Sequence, residues 1–188
     1  MRLKLAFAAL FILGALSAAQ AVTLTFTGNT FSNPDGRFNR PEENGMMLSP
    51  LGTSVPYKAF GFSVATPGPY SFVLQSLEPG VYDPFLVLYV SSFNPSSPLT
   101  NFVVANDDLM GDTTRSGFTR TLSTGVNYVL VVTGKIGGPG VLFEDSGAFK
   151  ATIDGPGAVV PVPEPATMML LGTGLAGIGA ALRRRRRD

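Results

Sequence analysis

The feature that most restricts this chain is a set of short runs in which apolar residues alternate with small or polar ones, with glycine and proline between the runs. Val22, Leu24 and Phe26 alternate with Thr23, Thr25 and Thr27. A period of two sends successive side chains to opposite faces, which is the signature of a half-buried strand. Phe60, Phe62 and Val64 repeat the pattern, and Tyr70, Phe72 and Leu74 follow the turn Pro67-Gly68-Pro69, so these two runs read as a hairpin. Phe118 to Leu122, Tyr128 to Thr133 and Ala148 to Ile153 are further strand segments. Phe85 to Val90 is apolar at every position, as expected of a central strand covered on both faces, and the shorter run Asn101 to Ala105 is expected to pair near it. The 22 glycines and 15 prolines gather between these eight runs, which favours short antiparallel strands joined by turns. The predicted fold is all-β, an antiparallel β-sandwich of jelly-roll type over residues 22–154, with Phe85, Val87, Leu88, Leu130 and Val132 inside. Residues 29–56 mix Asn, Pro, Gly and charge and read as partly irregular.

The two ends have a different composition. Arg2 and Lys4 precede the apolar run Leu5 to Leu16, and Ala19 and Ala21 supply the small residues that a signal peptidase accepts, so residues 1–21 read as a secretory signal helix cleaved after Ala21. Residues 166–182 carry no charge and are followed directly by Arg183, Arg184, Arg185, Arg186 and Arg187. As a helix, this run is about 26 Å long, close to the hydrocarbon thickness of about 30 Å once flanking arginines snorkel. It is expected to be a single transmembrane helix. Residues 183–188 are its cytoplasmic tail, because positive charge beside a span stays inside, and 155–165 form a Pro/Gly linker outside.

Charge and composition remove several functions. Seven of the fourteen basic residues lie in the two ends, against only Asp188 of the thirteen acids, so the exported part is net negative by five. That balance argues against nucleic acid as a partner and leaves room for divalent cations. The chain has no cysteine and no histidine, so no disulfide, no Ser-His-Asp or Cys-His catalytic site and no histidine-ligated zinc can be built.

Val162, Pro163, Glu164 and Pro165, then an apolar run containing Gly172, Gly174, Gly177 and Gly179, then Arg183 to Arg187, together resemble the PEP-CTERM sorting signal. The resemblance implies recognition by an exosortase, cleavage near the motif, and an origin in a bacterium that makes extracellular polysaccharide. Partners are then the exosortase, the signal peptidase, the membrane through the C-terminal helix, and extracellular polysaccharide. The final location is the cell surface or extracellular matrix.

Asp83 to Tyr89, Ala105 to Asp108 and Leu122 to Val132 are similar in order and spacing to the bacterial pre-peptidase C-terminal domain, a β-sandwich that accompanies secreted proteases. The chain departs from that pattern at Val90 to Thr100, a longer Ser/Pro loop, and at Phe149, where a tyrosine is usual. The resemblance implies an accessory, non-catalytic role.

Asn106, Asp107, Asp108 and Asp112 form the densest group of oxygen ligands, and Asp83 opens a strand expected to end nearby. These hard ligands suit calcium, while Asx residues in such a run serve equally as turn caps. An extracellular hydrolase of glycans would need paired carboxylates, for which Asp83 with Asp107, or Glu144 with Asp145, are the candidates. A non-catalytic module that binds carbohydrate or protein is the other reading, with Tyr82 and Phe93 as aromatics able to stack on a sugar or to pack in the fold.

Overall fold

The structure, a computed structural model, describes residues 22–138 and 144–162. Ten strands are present among them: β1 Val22–Asn29, β2 Gly36–Phe38, β3 Val55–Val64, β4 Gly68–Ser76, β5 Pro84–Val90, β6 Phe102–Asn106, β7 Arg115–Leu122, β8 Tyr128–Gly134, β9 Ala148–Gly155 and β10 Val159–Pro161. They form two antiparallel sheets, one in the order β1-β9-β4-β7 and one in the order β10-β3-β8-β5-β6, with β2 also pairing β3. The fold is an all-β antiparallel sandwich, and no helix among the described residues is long and apolar enough to cross a membrane. The signal helix with Ala19 and Ala21, the residues Pro163 to Pro165, the expected span 166–182 and Arg183 to Arg187 lie outside the described residues.

The alternation read from the sequence is what packs the two sheets together. Tyr70, Phe72 and Leu74 of β4 and Phe149, Ala151 and Ile153 of β9 face Leu86, Leu88, Leu130 and Val132 of the other sheet, all buried in one core. The five residues expected inside are each at most 1% exposed. Thr23, Thr25 and Thr27 face solvent on β1, an edge strand.

The opposite face of the second sheet is also covered, as the all-apolar run Phe85 to Val90 implied. Phe85, Val87 and Tyr89 point away from the inter-sheet core and form a second cluster with Phe38, Val55, Tyr57, Ala105 and Val131. Its cover is residues 30–54, within the stretch 29–56 read as partly irregular, together with Phe93 from the 91–101 loop. Phe38 and Phe93 meet edge-on at 5.2 Å, and each meets Tyr57 edge-on at 5.3 and 5.1 Å. Such edge-to-face pairs favour ordered rings over a fluid contact. Within the cover, Arg40 donates its amide to the Gly52 carbonyl and its own carbonyl accepts from the Ser49 amide, which closes a small hairpin over the sheet.

Two expectations differ from the structure. β3 and β4 are not a hairpin, because the turn between them carries the chain from one sheet to the other. The Tyr70 hydroxyl donates to the Thr66 carbonyl at 2.8 Å and thereby holds that crossing. Residues 155–162, read as the start of a linker, instead run along the domain and add β10 to the outer edge of β3. β3 is long enough to take β2 at one end of that edge and β10 at the other. Between them, Asp35 caps the exposed backbone by accepting from the Ala59 amide at 2.8 Å.

If the cover is part of the core, Phe38→Ala should cost about 3 to 5 kcal/mol, the usual loss for truncating a buried phenylalanine. Urea unfolding measures this, and a loss below about 1 kcal/mol would show that residues 30–54 are peripheral.

Candidate acidic site

Strand pairing brings distant residues to one end of the second sheet. Leu86 pairs with Asn106 and Pro84 with Gly134, so the start of β5, the end of β6 and the end of β8 lie side by side. Asp83 immediately precedes β5, Asp107 and Asp108 immediately follow β6, and Lys135 immediately follows β8. One carboxylate oxygen from each of the three aspartates lies within 4.8 Å of the others.

Lys135 is the counter-charge. Its Nζ lies 2.9 Å from Asp107 Oδ2, 3.4 Å from Asp83 Oδ2 and 3.8 Å from Asp108 Oδ2. The other oxygen of each aspartate, Oδ1, is buried and has no hydrogen-bond partner. Three charges share one ammonium, and three acceptors are left unmatched, a costly arrangement in a half-buried setting. Burial, with Asp107, Asp108 and Asp145 nearby, raises the Asp83 carboxyl to about 6 despite the opposing effect of Lys135. Burial also raises Asp107 and Asp145, while the Asp107 hydrogen bond keeps Lys135 protonated.

Arg40 ties this end to the cover. Its guanidinium carbon sits 4.0 Å from the centre of the Phe85 ring, and Nε and Nη2 donate to the Lys135 carbonyl at 2.9 and 2.7 Å. Burial lowers its pKa. Glu43, on the tip of the cover hairpin, accepts from the Asp107 amide at 2.6 Å. Gly134 is required beside Lys135, because a Cβ there would lie 1.7 Å from the Asp145 carbonyl oxygen.

Of the residues expected at the site, the structure brings together Asp83, Asp107 and Asp108 and leaves out Asn106 and Asp112. Asn106 is the last residue of β6, and its side-chain amide is taken up on both sides: Oδ1 accepts from the Gly117 amide at 2.9 Å, and Nδ2 donates to Glu43 Oε1 at 3.3 Å, so it borders the cluster through Glu43. Asp112 caps a turn by accepting from the amide and hydroxyl of Thr114, and it is half-buried there. Of the residues considered for acid–base chemistry, Glu144 pairs with Arg37 and Asp145 accepts from the Ile136 amide. Tyr82 is buried with its hydroxyl donating to the Thr133 carbonyl, so it presents no face to a ligand. Lys135, Arg40 and Glu43 carried no signal in the sequence, because only the β6-β5-β8 order makes them neighbours.

A second concavity, about 420 Å³, lies on the covered face of the same sheet. Ala59, Gly61 and Val129 form its floor, Tyr57 and Phe93 an aromatic wall, and Asn127 part of its polar rim.

Residues 161–186 match the family model of the PEP-CTERM protein-sorting motif. A chain carrying that motif is exported, held at the membrane and processed by an exosortase at the cell surface. No curated protein matches the chain. Among solved structures, it is similar to the pre-peptidase C-terminal domain of a collagenase from Bacillus anthracis, at 14% identity and a TM-score of 0.41, over 70% of this chain and 89% of that one.

The raised Asp83 pKa has a definite sign in stability. Between the ordinary value of 3.8 and about 6, the folded protein keeps a proton that the unfolded chain has lost, so this group's contribution to stability falls as pH rises through that window. Urea unfolding in chelator should show wild type losing ground to Asp83→Asn between about pH 4 and 6. A difference that is flat, or that moves the other way, contradicts the raised Asp83 pKa.

Proposed function

We propose that this chain is a non-catalytic module of the cell surface or extracellular matrix that binds carbohydrate or protein in association with extracellular polysaccharide. The observation that carries this reading is the join between the two parts. β10 ends at Pro161 and the sorting motif begins at residue 161, so the body delivered outside the cell is the sandwich itself. In this reading, residues 1–21 are removed by signal peptidase. Residues 166–182 anchor the chain until the exosortase acts, and the arginines hold the anchor's cytoplasmic side.

The acidic end supports a binding or structural role over hydrolysis. Asp83 and Asp107, which would have to divide acid and base roles, share one lysine instead. The concavity beside Phe93 combines an aromatic wall with amide and hydroxyl groups, a lining suited to a sugar ring.

Calcium is the cation proposed for the acidic end. Asp83, Asp107 and Asp108 fit the group: a carboxylate oxygen of each lies within 4.8 Å of the others, calcium takes oxygens at about 2.3 to 2.6 Å and so tolerates ligand atoms about 5 Å apart, and each residue also keeps a buried oxygen with no partner. When bound, calcium supplies the positive charge that Lys135 alone spreads over three carboxylates.

Two experiments test the reading. In a host with the processing enzyme, wild type should yield a product ending near Pro165 by mass spectrometry, while Glu164→Ala should remain full-length in the membrane. Identical masses and membrane fractions for the two would remove the sorting reading. For calcium, a concentration one hundred times the dissociation constant stabilises by about 2.7 kcal/mol and should raise the melting temperature of residues 22–162 by roughly 5 to 10 °C, reversed by chelator. Coincident melting curves would leave the cluster a lysine-bridged turn.

A further inference from the structure

The approach to the sorting motif is built into the fold. After β9, the chain turns at Pro156 to Ala158 and lies along the outer edge of β3, with Val159 opposite Val64, Val160 opposite Ser63 and Pro161 opposite Phe62. The Ala65 amide donates to the Ala158 carbonyl and the Val162 amide to the Gly61 carbonyl, each at 2.9 Å. Val159 is 8% exposed and belongs to the inter-sheet core cluster that also holds Tyr70 and Phe62. The segment lies tight against its neighbours: a Cβ on Gly155 would fall 2.0 Å from the Tyr70 ring, and one on Gly157 2.3 Å from Thr66 Oγ1.

The matched motif starts at residue 161, so its first two residues belong to this paired segment. Only Pro163, Glu164 and Pro165 separate Val162 from the apolar run that begins at Ala166. Three extended residues reach about 10 Å, which is little room for an enzyme to grip a peptide between a folded sandwich and the run beyond it. Enzymes that process peptides commonly take them as extended strands, through backbone groups and alternate side chains. From Ala158 to Val162, one backbone edge is already engaged by β3 and one side chain is already buried. Releasing Pro156 to Val162, which leaves β9 intact, would add about 23 Å of reach. The cost is modest, because only three residues of strand pair, at a sheet edge, and no strand pairs beyond them.

We propose that β10 is a strap that restrains processing. The processing enzyme acts on the minority of molecules in which Val159 to Val162 has peeled from β3, and the strap sets the size of that minority. The proposal rests on the reading that the motif is cleaved. The apparent affinity of the enzyme for its substrate is then reduced by the fraction unstrapped, so changes in strap stability appear directly in the processing rate.

The test follows conversion of the full chain by pulse-chase in a host with the processing enzyme. Val160→Cys with Ser63→Cys locks the strap, since the two positions are paired, an antiparallel pair of this kind has a Cα separation of about 5.5 Å, and the chain has no other cysteine to compete. The locked protein should be processed at least about tenfold more slowly, and reduction with dithiothreitol should restore the rate. Val159→Asp, which places a charge in the core contact of the strap, should speed processing severalfold. Each single cysteine variant should behave as wild type. A locked protein processed at the wild-type rate overturns the proposal, as does a locked protein whose slow rate survives reduction. A Val159→Asp protein that is folded yet processed more slowly also overturns it, because the strap would then present the motif instead of restraining it. Glu164→Ala separates the two levels: if it blocks conversion while the lock has no effect, the sorting reading stands and the strap fails; if it converts like wild type, the sorting reading itself has failed.

Discussion

The burial of β5 on both faces is the constraint from which the rest of the structure follows. A strand reading Phe-Leu-Val-Leu-Tyr cannot leave either side to water at a tolerable cost, since each such side chain contributes roughly 1.5 to 3 kcal/mol when buried. Leu86 and Leu88 are covered by the opposing sheet, but Phe85, Val87 and Tyr89 need a second cover. Residues 30–54 supply it, bringing Phe38 over the strand and Arg40 over the Phe85 ring. Once Arg40 is there, its guanidinium bonds the Lys135 carbonyl and fixes the start of the loop from which that lysine reaches the aspartates. The apolar character of one strand and the geometry of the charged site are therefore parts of one arrangement.

The acidic end illustrates why a charged cluster beside a core needs close management. Asp83, Asp107 and Asp108 are only partly exposed, and one lysine answers three carboxylates. The Oδ2 oxygens take the ammonium, and the Oδ1 oxygens are left buried without a partner. Removing one member of such a set costs more than the set gains by existing, because the rest are left uncompensated. The cover hairpin brings Arg40 up to the Lys135 carbonyl, where its positive charge also acts on Asp107 and Asp83, and it ties Glu43 to the Asp107 amide.

Much of this was legible in the sequence, and the limits were physical. Eight strands could be read because alternation over four or more residues is a strong signal, and Phe85 to Val90 announced its two-sided burial by having no polar position. β2 and β10 escaped because a three-residue strand has too few positions to show a period, and Pro161 and the glycines around β10 read as a linker. The hairpin expected between β3 and β4 failed for a related reason: a Pro-Gly-Pro turn marks a change of direction but does not say whether the chain stays in its sheet. Asp107 and Asp108 stood out because they are adjacent. Lys135 and Arg40 did not, since nothing local distinguishes a lysine after β8 or an arginine in a loop until the strand order is known. Asn106 was read with the cluster from adjacency alone, and the structure engages its amide with Gly117 on one side and Glu43 on the other.

The account stands on the claim that residues 30–54 and β5 are one cooperative core, with the acidic end held between them. Native-state hydrogen exchange resolved by residue tests it most directly. The amides of Arg40 and Ser49, bonded within the cover, and those of Leu86 to Tyr89 should exchange with the same opening free energy, close to that of global unfolding. Exchange of the Arg40 and Ser49 amides hundreds of times faster than that of β5, about 3 kcal/mol less protected, would show that the cover opens on its own and would contradict the account.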